Sequence, residues 1–197
     1  TLIACSDGNN GGSSSVAEEI RPQLDLVSTE PPIELPGISA SYSADVRYGD
    51  GERNVLDIYL PESDQPTPLV IFFHGGGYYQ GDKSSISAVD IRAFLGAGIA
   101  VATINYSFID VNQPYDDVGV IKPLEDSARA LQFLRYHYQS LNLDPEQVAS
   151  YGISAGASTS LWLGTHDDLA DPDNADPVLR ESSRLKAVAA LHTQGTL

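Results

Sequence analysis

Two glycine-rich segments, each placed directly after a run of apolar residues, constrain this chain more than any other feature. His74-Gly75-Gly76-Gly77 follows residues 69–73, and Gly152-Ile153-Ser154-Ala155-Gly156 follows residues 147–151. A continuous apolar run bounded by Pro68 and glycines is the pattern of a central strand covered on both faces. A serine held in a tight turn at the end of such a strand needs small residues two positions before and two positions after it, because helix and strand approach closely there. Gly152 and Gly156 meet that need, and Ala155, Ala157 and Ser158 allow a helix to start close against the sheet. The amino end of that helix aims free N–H groups and a positive dipole at developing negative charge. Three consecutive glycines after the earlier strand let the backbone turn back and present N–H groups of its own, which a side chain there would obstruct.

These geometries point to nucleophilic chemistry. A serine hydroxyl is a poor nucleophile until it is held in a cleft beside a base. The two motifs predict Ser154 as the nucleophile, Gly152 and Gly156 as the glycines of its turn, and the N–H groups of Gly75, Gly76 and Ala155 as donors to an oxyanion. His74 and Gly77 are read as supports of the glycine loop, with the His74 imidazole bonded to backbone rather than serving as a base. Tyr78, Tyr79 and Tyr106 are candidates for the cleft wall or for core filler. Asp126 is either a brace of the oxyanion region or a solvated carboxylate favoured by a helix start.

The rest of the chain alternates strand and helix patterns. Residues 45–48 and 54–60 read as two strands around Gly49-Asp50-Gly51. Residues 87–96 are helical in pattern and 99–104 form the next buried strand. Leu124, Ala128, Leu131, Leu134 and Tyr138 recur at helical spacing over 123–139. Asp144-Pro145-Glu146 marks a turn before a strand over 147–151, helix resumes at Ala155, and 186–191 is the last apolar run. The prediction is an α/β fold, a mainly parallel sheet with helices on both faces.

HGGGYYQGDK, the strand end Asn105-Tyr106-Ser107, the helix beginning at Glu125-Asp126 and the YGISAG turn together resemble the α/β-hydrolase fold over about residues 45–197. The resemblance is to its carboxylesterase and hormone-sensitive-lipase-like branch. It implies a serine carboxylic-ester hydrolase acting on short-chain, aryl or carbohydrate-linked esters, with no cofactor and no catalytic metal. It also implies Ser, then Asp or Glu, then His in chain order, and only the Ser position has a match. Several acids from Asp167 to Glu181 precede His192, so the order is formally available. One helix and one strand after the turn are too few, however, since the family's acid and base follow later strands. The expectation is an amino-terminal fragment, inactive alone, with the carboxy-terminal part of the fold missing and the catalytic Asp and His beyond Leu197. His192 is read as pocket lining or packing. A peptidase of the same fold and a non-catalytic surface-binding module are the alternative readings.

The first residues suggest an address. Leu2-Ile3-Ala4-Cys5 has the shape of a lipobox, with small Ala4 before the cleaved bond and the Cys5 thiol to carry the lipid. Residues 1–5 are read as the remnant of a lipoprotein signal peptide, 6–40 as a flexible Ser/Gly/Pro-rich tether and 41–197 as the hydrolase domain. This predicts an extracytoplasmic bacterial lipoprotein of the cell envelope, held to a membrane only through Cys5; Ser6 favours the outer membrane. A single cysteine excludes a disulfide framework, and no apolar run is long enough to span a bilayer. With 27 acidic against 11 basic residues, net charge −16, the chain is repelled by nucleic acid and by anionic lipid. The five aspartates of 167–176 lack EF-hand spacing and read as a solvated loop rather than a Ca²⁺ site, and His137 and His166 have no partners at metal-ligand spacing.

Overall fold

The computed structural model describes residues 21–110 and 119–192; Cys5 and the Ser/Gly-rich segment after it lie outside the described residues. Among the described residues the chain forms strands β1 (Ala40–Arg47), β2 (Val55–Pro61), β3 (Thr67–Phe73), β4 (Ala100–Ile104), β5 (Leu143–Ile153) and β6 (Ala187–Leu191). The helices are α1 (Ala88–Gly96), α2 (Ile121–Tyr136) and α3 (Ala155–Thr165). One sheet runs in the order β1-β2-β4-β3-β5-β6. The β1–β2 hairpin and the β2–β4 pairing are antiparallel, and β4–β3, β3–β5 and β5–β6 are parallel.

The run TPLVIFF becomes β3 because both of its faces find cover. Leu69, Ile71 and Phe73 point into a core shared with α2 and α3, and Val70 and Phe72 into a second core with Ile91 and Leu95 of α1. Ser87 caps α1 by accepting the Val89 N–H at 3.2 Å. Helix α2 starts two residues before Pro123, which therefore sits in the first turn, where a missing N–H costs nothing. It ends at Tyr136, short of the expected Gln139, with the His137 N–H bonded to Phe133 O at 3.1 Å. The turn expected at 144–146 lies inside β5 as a bulge: Leu143 pairs with Thr67 and Val148 with Leu69, and Glu146 N–H bonds Asp144 Oδ1 at 2.9 Å.

Residues 21–39 carry no helix or strand but lean on the domain. Leu24 and Leu26 pack on one core and Ile33, Leu35 and Ile38 on the other, and Arg21 pairs with Glu181 at 2.7 Å. The packed unit therefore begins by Arg21 rather than at residue 41. Unlike the Ser/Gly run before it, this segment has apolar surface to bury.

The connectivity fixes where a ligand can reach. From β3 the chain crosses through α1 to β4 on one side, whereas from β5 it crosses through α3 to β6 on the other. The crevice at the carboxyl ends of β3 and β5 is thus a topological switch point, the place where open α/β sheets bind ligands. Both glycine motifs open into it: Phe73, just before His74, pairs with Gly152.

Candidate active site

The corner between β5 and α3 is enforced by backbone packing. Ser154 adopts φ 56°, ψ −116°, a conformation that costs a non-glycine residue about 1–3 kcal/mol. A Cβ on Gly152 would lie 2.2 Å from Gly156 O, and one on Gly156 would lie 1.9 Å from Phe73 O. No side chain fits at either position, so α3 can begin directly against the ends of β3 and β5. The Ser154 N–H bonds Leu191 O at 3.0 Å, tying the corner to β6, and Ser154 O accepts the Ser158 N–H at 3.1 Å. Ser154 itself is half-buried, and its hydroxyl has no hydrogen-bond partner among the described residues.

The glycine loop touches this corner. A Cβ on Gly75 would lie 2.9 Å from Ile153 O and 3.4 Å from Ser154 Cβ. Gly76 has φ 115°, and a Cβ there would meet Gln80 O at 2.0 Å. Gly76 O accepts the N–H groups of Tyr79 and Gln80, both at 3.2 Å, which closes the turn. The amides of Gly75 and Gly76 donate to no group among the described residues, and Ala155, first in α3, has a free N–H by its position. The structure thus brings together Ser154, Gly75, Gly76 and Ala155, along with the supporting Gly77 at φ 62°.

Side chains hold the loop from behind. His74 is fully buried and stacks on Tyr106 with ring centroids 4.3 Å apart. Its Nδ1 faces Gly75 O at 2.7 Å, and the Tyr106 hydroxyl donates to His74 O at 2.7 Å. Burial lowers the His74 pKa; the bond to Gly75 opposes this, and the nearby Arg53 charge adds to it. The ring is thus enclosed and bonded to the backbone of the glycine loop.

Three further groups were not legible as site residues. Arg53, from the β1–β2 turn, donates to Tyr106 O at 2.9 Å and Gly81 O at 3.1 Å, and its guanidinium lies 3.7 Å from the Phe108 ring centroid. Lys83 is buried and bridges Asp57 at 2.7 Å and Asp45 at 3.0 Å; burial depresses its pKa, but the two carboxylates raise it above the ordinary value. Asn105 accepts the Lys83 N–H at 2.7 Å and donates to Asp82 at 2.8 Å. Burial works against the Asp82 charge, yet the bonds from Asn105 and Ser84 hold its pKa down to about 2. One signal was available: a charged Asp57 inside the apolar strand NVLDIYL requires a buried partner.

The remaining candidates separate. Asp126 is buried and braces the end of β4, accepting the Ser107 N–H at 2.9 Å and pairing with Lys122. Burial raises its pKa, but those bonds and Asn54 bring it below the ordinary value. Tyr106 is core and Tyr79 is half exposed, while the Tyr78 hydroxyl donates to Ala155 O at 2.9 Å. His192 is exposed just past β6 and makes no bond to Ser154 among the described residues. Three of the aspartates of 167–176 hold local turns: Asp168 accepts the Ser183 N–H at 2.8 Å, Asp171 accepts the Asp173 N–H at 3.3 Å, and Asp176 caps a 3₁₀ turn and pairs with Arg129 at 2.6 Å. Among the described residues no group of three His, Cys, Asp or Glu is placed to hold a metal ion.

A sheet of this order, with a serine corner and a glycine loop at its switch point, defines an α/β-hydrolase fold. A family model described as BD-FAE matches residues 56–194, and the chain belongs to that family. A curated relative, "Probable isoprenylcysteine alpha-carbonyl methylesterase ICMEL1" of Oryza sativa subsp. japonica, is 30% identical over 150 residues, covering 76% of this chain and 34% of its own. The chain spans about a third or less of the length of several curated relatives that it matches. Among solved structures, a truncated carbohydrate esterase from gut microbiota superposes with TM-score 0.63 at 23% identity, covering 78% of this chain and 56% of that one. An acetyl ester-xyloside bifunctional hydrolase from Caldicellulosiruptor lactoaceticus does so with TM-score 0.56 at 26% identity, covering 87% and 57%.

Proposed function

We propose that this chain carries the nucleophile and oxyanion half of a serine carboxylic-ester hydrolase. The observation that carries this reading is the contact between the strained Ser154 corner and the Gly75 turn, with the amides of Gly75 and Gly76 bonded to no acceptor among the described residues and that of Ala155 free at the start of α3. In this reading Ser154 Oγ attacks the ester carbonyl carbon and its proton passes to a histidine. The carbonyl oxygen, now anionic, rests on the three amides. Collapse of the tetrahedral intermediate expels the alcohol, which takes that proton, and water repeats the sequence to release the acid and restore the serine.

The described residues give the Ser154 hydroxyl no base, and the family relatives are much longer. Substrates are assigned as short-chain, aryl or carbohydrate-linked esters, a class supported by family membership and by the similarity to an acetyl ester-xyloside hydrolase. The test is hydrolysis of p-nitrophenyl acetate by the full-length gene product. Ser154→Ala is expected to lower kcat by about 10⁴-fold or more. Unchanged turnover in that variant rules out the assigned nucleophile.

We further propose that Cys5 carries a lipid anchor and that the enzyme works at the cell envelope, facing small-molecule esters and no nucleic acid. Support comes from the lipobox and the strongly acidic composition. Incorporation of a tagged fatty acid that disappears in Cys5→Ser is the expected result; equal incorporation overturns it.

A further inference from the structure

Resting on the esterase reading, we propose that Arg53 is a positioning residue that selects the His74 tautomer and thereby aims the Gly76 N–H into the oxyanion site. The donors and acceptors around the ring fix where its proton sits. A carbonyl oxygen only accepts, so the 2.7 Å contact between His74 Nδ1 and Gly75 O requires the proton on Nδ1. The Tyr106 hydroxyl spends its single proton on His74 O and meets Nδ1 at 3.2 Å through its oxygen, which also calls for a proton on Nδ1. In a neutral ring Nε2 is then a bare acceptor, and Arg53 Nη2 stands 3.4 Å from it. A guanidinium has donors only and stays charged. It therefore disfavours the alternative tautomer, whose Nε2–H would face its own N–H, and it disfavours the imidazolium.

The consequence reaches the reacting centre through one peptide plane. In a trans peptide the C=O of residue 75 and the N–H of residue 76 point in opposite directions. Fixing Gly75 O on the buried imidazole fixes the Gly76 N–H on the far side of the plane. Neither glycine resists rotation by itself, since Gly76 at φ 115° has no side chain to set its conformation. Arg53 also holds the loop's far end at Gly81 O and the strand end at Tyr106 O, so one side chain joins the three pieces. Its own position is set by stacking on Phe108.

The experiment uses the full-length protein with ¹⁵N-labelled histidine, comparing wild type, Arg53→Met and Arg53→Lys. In wild type the His74 spectrum is expected to show a protonated Nδ1 and an unprotonated Nε2. Arg53→Met is expected to move His74 toward the Nε2–H form and to lower kcat for p-nitrophenyl acetate by about 100-fold with KM little changed, the size of misaiming one group at the reacting centre. Arg53→Lys, which restores a donor, is expected to recover the wild-type nitrogen spectrum and part of kcat. An unchanged tautomer in Arg53→Met overturns the proposal, as does a changed tautomer with undiminished kcat. Failure of the esterase reading is seen separately, as a wild-type protein with no Ser154-dependent turnover; the nitrogen spectrum still tests the link between Arg53 and His74.

Discussion

The two halves of the site are built by different physics. The corner at Ser154 is made by the backbone: strand, turn and helix are so close that Gly152 and Gly156 have no room for a methyl group. The loop at Gly75 and Gly76 is made by side chains behind it, with His74, Arg53, Asn105 and Lys83 each bonding main-chain groups or buried carboxylates. The first device is local and has almost no intermediate states. The second is distributed and can be loosened by degrees. Damage to the corner should therefore appear mainly as lost fold, and damage to the loop as lost turnover at a smaller stability cost.

The largest effect is expected at the corner. Gly156→Ala places a methyl 1.9 Å from Phe73 O, a backbone atom of the central strand, and is expected to cost on the order of 4 kcal/mol in urea unfolding of the full-length protein. A cost below about 1 kcal/mol would show that the corner relaxes and would remove the contrast between the two halves. Next comes Lys83→Met, which strands the buried Asp57 charge and is expected to cost about 3 kcal/mol and to lower kcat as the loop loosens. Pairing it with Asp57→Asn should cost less than the two changes summed, because the uncompensated charge is gone. Strict additivity would break the claim that Lys83 acts through Asp57.

Smaller and opposite in sign, Ser154→Gly is expected to stabilise the protein by about 1 kcal/mol, since glycine accepts φ 56°, ψ −116° without strain, while abolishing turnover. A destabilised variant would mean that Ser154 is not strained. The smallest effect separates the halves by pH. The corner residues 152–156 contain no titratable side chain, whereas the loop contains His74 and Asp82. Asp82 has a depressed folded pKa, so its contribution to stability is present above the ordinary value of about 4 and is lost as pH falls toward about 2. His74 also has a lowered folded pKa, so as pH falls below its ordinary value of about 6.5 the unfolded chain takes up a proton that the buried ring refuses, and stability declines. Unfolding measured against pH should show both declines in wild type and a smaller acid decline in Asp82→Asn, with the remainder carried by Asp126, Asp168 and Asp176.

The same contrast explains what could be read from sequence. Ser154, its flanking glycines and the HGGG run are contiguous, so their steric purpose is visible within a few residues, and β3, α1, β4 and α3 follow from short patterns beside them. Arg53 reaches His74 only because the hairpin from β1 to β2 folds over the strand ends, and Lys83 finds Asp57 only once β2 lies beside β4. Those contacts depend on pairing between strands distant in the chain, which periodicity does not encode. The bulge in β5 was read as a turn for a related reason: Asp144-Pro145-Glu146 does form its local Asx bond, and the sheet continues on both sides of it. The packed lead-in from Arg21 was missed because its apolar residues have no period and take their order from the surface they lie on.

The most direct test of the central claim is a crystal structure of the full-length protein after reaction with a diethyl phosphoryl fluoride, whose phosphoryl oxygen stands where the oxyanion forms. Phosphorus is expected bonded to Ser154 Oγ, with the phosphoryl oxygen about 2.7–3.1 Å from the amide nitrogens of Gly75, Gly76 and Ala155. A phosphoryl oxygen turned away from the glycine loop, or an adduct on any other residue, would contradict it.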